Sequence, residues 1–159
     1  ARLLEATDAE TATALRSLLG FSAASAGGVM TTVLVELEGH LTVHEARERL
    51  RAEQAHAADV DGVLVVDVDG RLLDDVSLFE LLVADPAAHL LELVGEPWPI
   101  TVETTTPLDT VIDALRDNRR SSVVVVDDGR PIGRILADDL LDAITPGQRR
   151  RALSRIPGS

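Results

Sequence analysis

Two stretches of this chain carry the same order of apolar and polar positions. Val63 to Leu82 reads VLVVDVDGRLLDDVSLFELL and Val123 to Leu141 reads VVVVDDGRPIGRILADDLL. In both, four apolar residues lead to an acid, a turn with Gly-Arg, a second apolar stretch and an acid-bearing segment ending in Leu-Leu, with one residue deleted before the second glycine. The likeness continues upstream at an offset of 65 residues, where Thr42 to Arg51 faces Pro107 to Arg116. There Val43, Ala46 and Leu50, and Leu108, Val111, Ile112 and Leu115, recur at helical spacing and predict two amphipathic helices. Thr42 and Thr106-Pro107 are start signals for them, with Pro107 suited to the first turn.

Short strands are expected ahead of each helix, at Val33 to Leu37 and Ile100 to Val102. The unbroken apolar runs Val63 to Val66 and Val123 to Val126 suit strands covered on both faces, because a one-sided strand would alternate. Asp69-Gly70 and Asp128-Gly129 are the residues a tight hairpin needs. The fold class is therefore α/β, two β-α-β-β-α units packed around a pseudo-two-fold axis, preceded by a short N-terminal helix. One unit alone buries too little surface to be secure, and its twin supplies the missing cover.

The flanks read differently. Thr7 to Leu19 predicts a helix that stops at Gly20, and Ser22 to Gly28 is a small-residue linker. The expected division is 1–28 as the end of a helical domain plus linker, 29–86 and 87–145 as the two units, and 146–159 as a basic tail. The chain starts at Ala1, which is not an initiator and suggests an excised fragment.

Composition narrows the function. With 159 residues, 45% hydrophobic but only 2% aromatic, the core must be built from Val, Leu, Ile and Ala, and stacking platforms for bases are scarce. No run approaches the roughly 18 apolar residues of a membrane span and no signal-peptide pattern opens the chain, so a soluble module without direct membrane insertion is expected. Cysteine is absent, which fits a reducing, cytoplasmic setting. The net charge of −12 is uneven: Val29 to Thr145 holds 24 acidic against 9 basic residues, a balance of −15, whereas Pro146 to Ser159 holds four arginines and no acid. Such a body repels nucleic acid and attracts cations.

No nucleophile elbow, phosphate-binding Gly-x-x-x-x-Gly-Lys or His-Glu-x-x-His motif is present, so the chain is not expected to be an enzyme. His40, His44, His56 and His89 lack metal-ligand spacing. Asp67, Asp69, Asp127 and Asp128 read as turn residues.

The duplicated unit, with its apolar run, Asp-x-x-Gly-Arg turn and Ala137-Asp138-Asp139-Leu140-Leu141 segment, resembles a tandem pair of CBS (cystathionine-β-synthase-type) domains. Leu18-Leu19-Gly20-Phe21-Ser22 followed by Ser25-Ala26-Gly27-Gly28-Val29-Met30-Thr31 resembles the junction by which the helical domain of MgtE-type magnesium transporters enters its first CBS domain. The resemblance implies a regulatory module in which acidic faces share Mg2+ and a compact homodimer, formed through CBS helices, closes a membrane pore that lies outside this chain. It implies Asp109, Asp139 and Asp142 as metal ligands, and Asp139 and Asp142, three residues apart, share a helical face. Ile144 is followed by Thr-Pro-Gly-Gln and arginines rather than by the acidic connecting helix of the transporters. Both a transporter cut short and a soluble relative remain open.

The alternative that the resemblance implies is sensing of an adenine nucleotide in the cleft between units, where a Ser or Thr and an Asp three residues later hold phosphate and ribose. The first copy offers Ser77 and Glu80, the second Leu136 and Asp139. Asp74 and Asp75 stand where a small residue is expected, Gly133 keeps it in the second copy, and Gly62 replaces a stacking aromatic. Nucleotide binding is accordingly expected to be weak.

Overall fold

The computed structural model describes residues 24–143. The expected helix over Thr7 to Leu19 and the basic tail lie outside these residues. The element order is α1 (Ala26–Val29), β1 (Glu36–Glu38), α2 (Val43–Ala52), a 3-10 segment (Gln54–Asp59), β2 (Gly62–Val66), β3 (Leu72–Ser77), α3 (Leu78–Val83), a 3-10 turn (Leu90–Leu93), β4 (Thr101–Val102), α4 (Leu108–Asn118), β5 (Ser122–Asp127), β6 (Arg130–Leu136) and α5 (Ala137–Ala143). Each unit contributes one three-stranded sheet, β1-β2-β3 and β4-β5-β6, parallel across the first pair and antiparallel across the second. Both hairpins shift register at the same place, after Val65 and after Val125, so the copies share even their irregularity.

The local reasons follow the sequence. The Thr42 hydroxyl accepts the Glu45 N–H and starts α2, while Val43 and Ala46 turn inward. In α4 the four apolar positions Leu108, Val111, Ile112 and Leu115 are all buried, and Pro107 stands one step outside the helix, with extended ψ, rather than in its first turn. Asp128 and Gly129 both adopt positive φ, at 50° and 76°, which makes the β5–β6 connection a two-residue turn whose twist matches the strands. Asp67 does the equivalent task in the first unit by accepting the Asp69 and Arg71 N–H groups on one carboxylate oxygen. All residues of β2 and the valines of β5 are buried, as unbroken apolar runs require.

Three expectations change. The first strand ladder starts at Glu36, because Leu34 packs between the two units and only Val35 O turns to accept the Leu64 N–H. Residues Ala26–Val29, expected as the end of the linker and the first residue of the first unit, form a helical turn that packs on the second unit: Ala26 N–H donates to Thr106 O, Gly27 N–H to Thr104 O, and Ala26 and Met30 enter that unit's core. Leu90, Leu93 and Val94, expected in the second unit, pack in the core of the first, since Leu90 N–H donates to Leu41 O and Leu91 N–H to Gly39 O.

The units meet through Leu64, Val124 and Val126, with Leu34 and Leu72 beside them. At one end of this seam the two hairpin turns hold each other. Leu72 N–H donates to Gly129 O, Arg130 Nε to Asp69 O, and Arg71 lies 3.6 Å from Asp128.

Candidate functional site: a carboxylate-lined cleft and an acidic helix

At the opposite side of the seam lies an open cavity of about 220 Å3, bordered by Asp61, Asp74, Asp75, Ser77 and Glu80 of the first unit and by Arg120, Ser121 and Ser122 of the second. Its floor is an ion cluster. Arg134, on β6 and only 2% exposed, gives Nη1 and Nη2 to the two oxygens of Asp75 at 2.7 and 2.9 Å, and Nη1 also to Ser122 Oγ at 2.8 Å. Asp61 Oδ1 lies 2.8 Å from the same Nη1. Both protons of that nitrogen are already given to Asp75 and Ser122, so Asp61 Oδ1 is held by charge alone and is left without a hydrogen bond. Its other oxygen accepts the Ser121 hydroxyl at 3.1 Å. Burial works against the Arg134 charge, but the hydrogen bonds and charge of Asp75, with Asp61 behind, outweigh it and raise the guanidinium's pKa.

Asp74 is buried and turned away from Arg134; it accepts the N–H groups of Asp75 and Gly95. Burial raises its pKa, the two N–H groups oppose this, and the nearby Glu80 and Asp75 charges add to it. The expected acid pair is thus split: Asp75 is paired with Arg134, and Asp74 accepts backbone N–H groups. Ser77 and Glu80 close a reciprocal capping box at the start of α3, Ser77 Oγ accepting the Glu80 N–H and Glu80 Oε2 the Ser77 N–H. Ser77 Oγ and Glu80 Oε2 are thus engaged at the helix start. Arg120, the guanidinium that borders the cavity, donates to Pro97 O and Trp98 O.

The pseudo-equivalent space beside β6 is taken by the chain itself. Thr31 pairs with Arg134 in an antiparallel bridge, and Met30 lies so close to Gly133 that an added Cβ would stand 2.8 Å from the methionine Cγ. The small residue read from the sequence at Gly133 thus makes room for Met30.

On α5, Leu140 anchors the helix in the core while Asp138, Asp139 and Asp142 are exposed. Leu136, unlike its counterpart Ser77, has no side-chain oxygen to begin a capping box. Asp139, though exposed, is desolvated in part by the protein around it, which raises its pKa, and the charges of Asp59, Asp138 and Asp142 raise it further. Asp59 comes from the 3-10 segment of the first unit, so charge from that unit adds to the repulsion felt by this helix. Asp109 occupies the first turn of α4 and is not among the charges acting on Asp139. Among the described residues no three His, Asp or Glu side chains come close enough to hold a metal ion by themselves. The three residues inferred from the resemblance are therefore a pair on α5 and a separate acid on α4. Sequence reasoning missed Asp59, Asp61 and the Arg134–Asp75 pair; the signal available was that Asp75 and Arg134 align in the repeat with opposite charge.

The duplicated sheet-and-helix unit and the cleft between its copies define a tandem CBS pair, and the chain belongs to the CBS domain family, whose pattern matches residues 26–86 and 99–146. Within that class it is homologous to the cytosolic domain of MgtE. It is 33% identical over 144 residues, 90% of this chain, to the magnesium transporter MgtE of Thermus thermophilus, and 29% identical over 136 residues to that of Enterococcus faecalis. It spans about a third of these relatives, 32% and 30% of their lengths. Among solved structures, the cytosolic domain of the Mg2+ channel MgtE in complex with ATP aligns with a TM-score of 0.72 at 33% identity, covering 78% of this chain and 50% of that one. The soluble part of a magnesium transporter aligns at 0.73 and 29%, covering 80% and 50%. No helix among the described residues is long and apolar enough to cross a membrane.

Proposed function

We propose that this CBS pair is a cytoplasmic, non-catalytic regulatory module that senses Mg2+, as the gating part of an MgtE-type transporter or of a soluble homologue. The observation that carries this reading is the repulsion that Asp59 of the first unit and Asp138 and Asp142 of the second exert on Asp139, which raises its pKa. Like charges from two units repel one another at neutral pH, and a hard divalent cation relieves that repulsion and favours the compact arrangement. Mg2+ keeps several waters and needs only one or two carboxylates, so Asp139 and Asp142 fit it as a partial ligand set. The acids of a second element would complete the set. Similarity to magnesium transporters supports the choice of cation.

The test is a melting curve and scattering radius of the chain in Mg2+, Ca2+ and NaCl of matched ionic strength, repeated on Asp139→Asn/Asp142→Asn. A ninefold excess of Mg2+ over its dissociation constant is expected to add about 1.4 kcal/mol. Equal effects of Mg2+ and matched salt, or an unchanged response in the variant, would reduce these acids to a solvated face.

A second reading, adenine-nucleotide sensing, draws on the relative solved with ATP. The cavity here opposes it, since four carboxylates border it against one guanidinium, Arg120, which already donates to Pro97 O and Trp98 O.

A further inference from the structure

The cavity between the units has a buried carboxylate without a counter-charge in its wall. Asp74 is only 4% exposed, and its oxygens accept the Asp75 and Gly95 N–H groups, but among the described residues no basic side chain pairs with it. Glu80 is near enough for its charge to act on Asp74, and its Oε1 takes no part in the capping box that engages Oε2. The charges around the space do not cancel. Asp61, Asp74, Asp75 and Glu80 bring four carboxylates, against Arg120 on the border and Arg134 in the floor. In the second unit Gly133 stands where the first has Asp74, and Met30 packs over it. The first unit thus holds a charge where the second holds an apolar contact. We propose that this cavity binds a small organic cation, whose guanidinium or primary ammonium group donates to Asp74 and Glu80.

Charge, spacing and size select this ligand class. A buried carboxylate is costly unless a cation with hydrogen-bond donors meets it. A bare metal ion is a poorer match, because among the described residues no three His, Asp or Glu side chains come close enough to hold one. Carboxylates set apart suit a cation that spreads its charge over several N–H donors, as a guanidinium or ammonium does. Arg120 is the one like charge on the border, and it is held on Pro97 O and Trp98 O. The volume, about 220 Å3, is below the roughly 300 Å3 at which pockets for drug-sized ligands begin, so the ligand is small. Pro97 offers an apolar edge for a short methylene chain. The cavity is distinct from the acids of α5, so this ligand and Mg2+ are told apart by different variants.

The probe is agmatine, a guanidinium and an ammonium joined by a methylene chain. Calorimetry on the full chain should show saturable, sub-millimolar binding, and the fluorescence of Trp98, the sole tryptophan and next in sequence to Pro97, should follow it. Glu80→Gln keeps an oxygen for the Ser77 N–H, and so the helix start, but should weaken binding about tenfold, as losing a hydrogen bond to a charged group does. Asp74→Asn should weaken it similarly, with a melting curve to show that each variant is folded. Asp139→Asn/Asp142→Asn should bind agmatine as the parent does. Tetramethylammonium, which has the charge but no N–H donor, and NaCl of matched ionic strength should give no saturable signal. No saturable binding in the millimolar range, an equal response to tetramethylammonium, or unchanged affinity in folded Glu80→Gln overturns the inference. Binding lost only in Asp139→Asn/Asp142→Asn overturns it too, by placing the cation on α5.

Discussion

Asp75 and Arg134 occupy the same position in the two copies of the repeat, and they meet each other across the seam in a two-pronged ion pair at 2.7 and 2.9 Å. Asp61 and Ser121 are likewise equivalent positions, and they too are hydrogen-bonded to each other. Self-pairing of equivalents is what a local two-fold axis produces. Here it has been made to work by giving the copies opposite charge at one position. Two aspartates or two arginines there would leave like charges facing each other at the buried centre of the molecule.

Removing one partner should therefore be costly. Arg134→Met leaves Asp75 and Asp61 facing each other without a counter-charge, and the expected loss is about 3–5 kcal/mol in urea unfolding. Adding Asp75→Leu should recover a large part of it, because an apolar pair of similar volume has no charge to desolvate. Equal losses in the single and double variants would mean that Arg134 acts through packing alone.

Gly133→Ala should destabilise by about 1–3 kcal/mol, since the new methyl runs into Met30. Met30→Ala alone should cost about 2–5 kcal/mol through the cavity it leaves. The double variant should lose less than the sum of the two, as contacting residues do. Strict additivity in chemical denaturation would show that Met30 does not sit over Gly133.

Stability should rise on mild acidification. Glu36, Asp74 and Asp139 all have raised pKa values, from ordinary values of 4.5, 3.8 and 3.8, each chiefly because burial disfavours the charged form. Each therefore holds its proton more tightly folded than unfolded. The stabilisation is fully present below the unfolded pKa and is lost as pH rises through the folded one. With divalent cations chelated, the melting temperature should increase as the pH falls from 7 towards the ordinary carboxylate range, and Asp74→Asn should flatten that slope. A melting temperature that falls steadily over the range would contradict it.

AMP and ATP should give no micromolar binding by calorimetry. Asp61 and Glu80 border the cavity, Arg120 is committed to Pro97 O and Trp98 O, and Ser77 to the Glu80 N–H. A phosphate placed there would have to approach these carboxylates. Micromolar affinity would show that the cavity accepts a phosphate beside them.

Much of the architecture was legible because it was written twice. The helix faces of Val43 and Ala46 and of Leu108 to Leu115, the buried valine runs and the Asp128-Gly129 turn follow from period and turn chemistry that act over a few residues. Contacts between units left no such trace. Nothing in the local pattern places Leu90 on the first core or Ala26 on the second, because each is set by where the chain returns in space. The cleft suffered most. Asp74 and Asp75 look alike in sequence, yet one turns to backbone N–H groups and the other to a guanidinium 59 residues away. On α5 the acids were visible, but their neighbour Asp59 was not, since it lies in an irregular turn outside the repeated pattern.

The residues from Ala26 to Thr31 precede the first unit along the chain but belong, by packing, to the second. Anyone transplanting this module as a sensor into another protein therefore faces a graft whose two ends are not independent. A cut placed just before β1 would strip Met30 from above Gly133 and uncover the wall of the distant half. Grafting at the natural entry point instead ties the incoming polypeptide to the half that carries the acidic helix. A pull on that leash would be felt first by the far copy of the repeat.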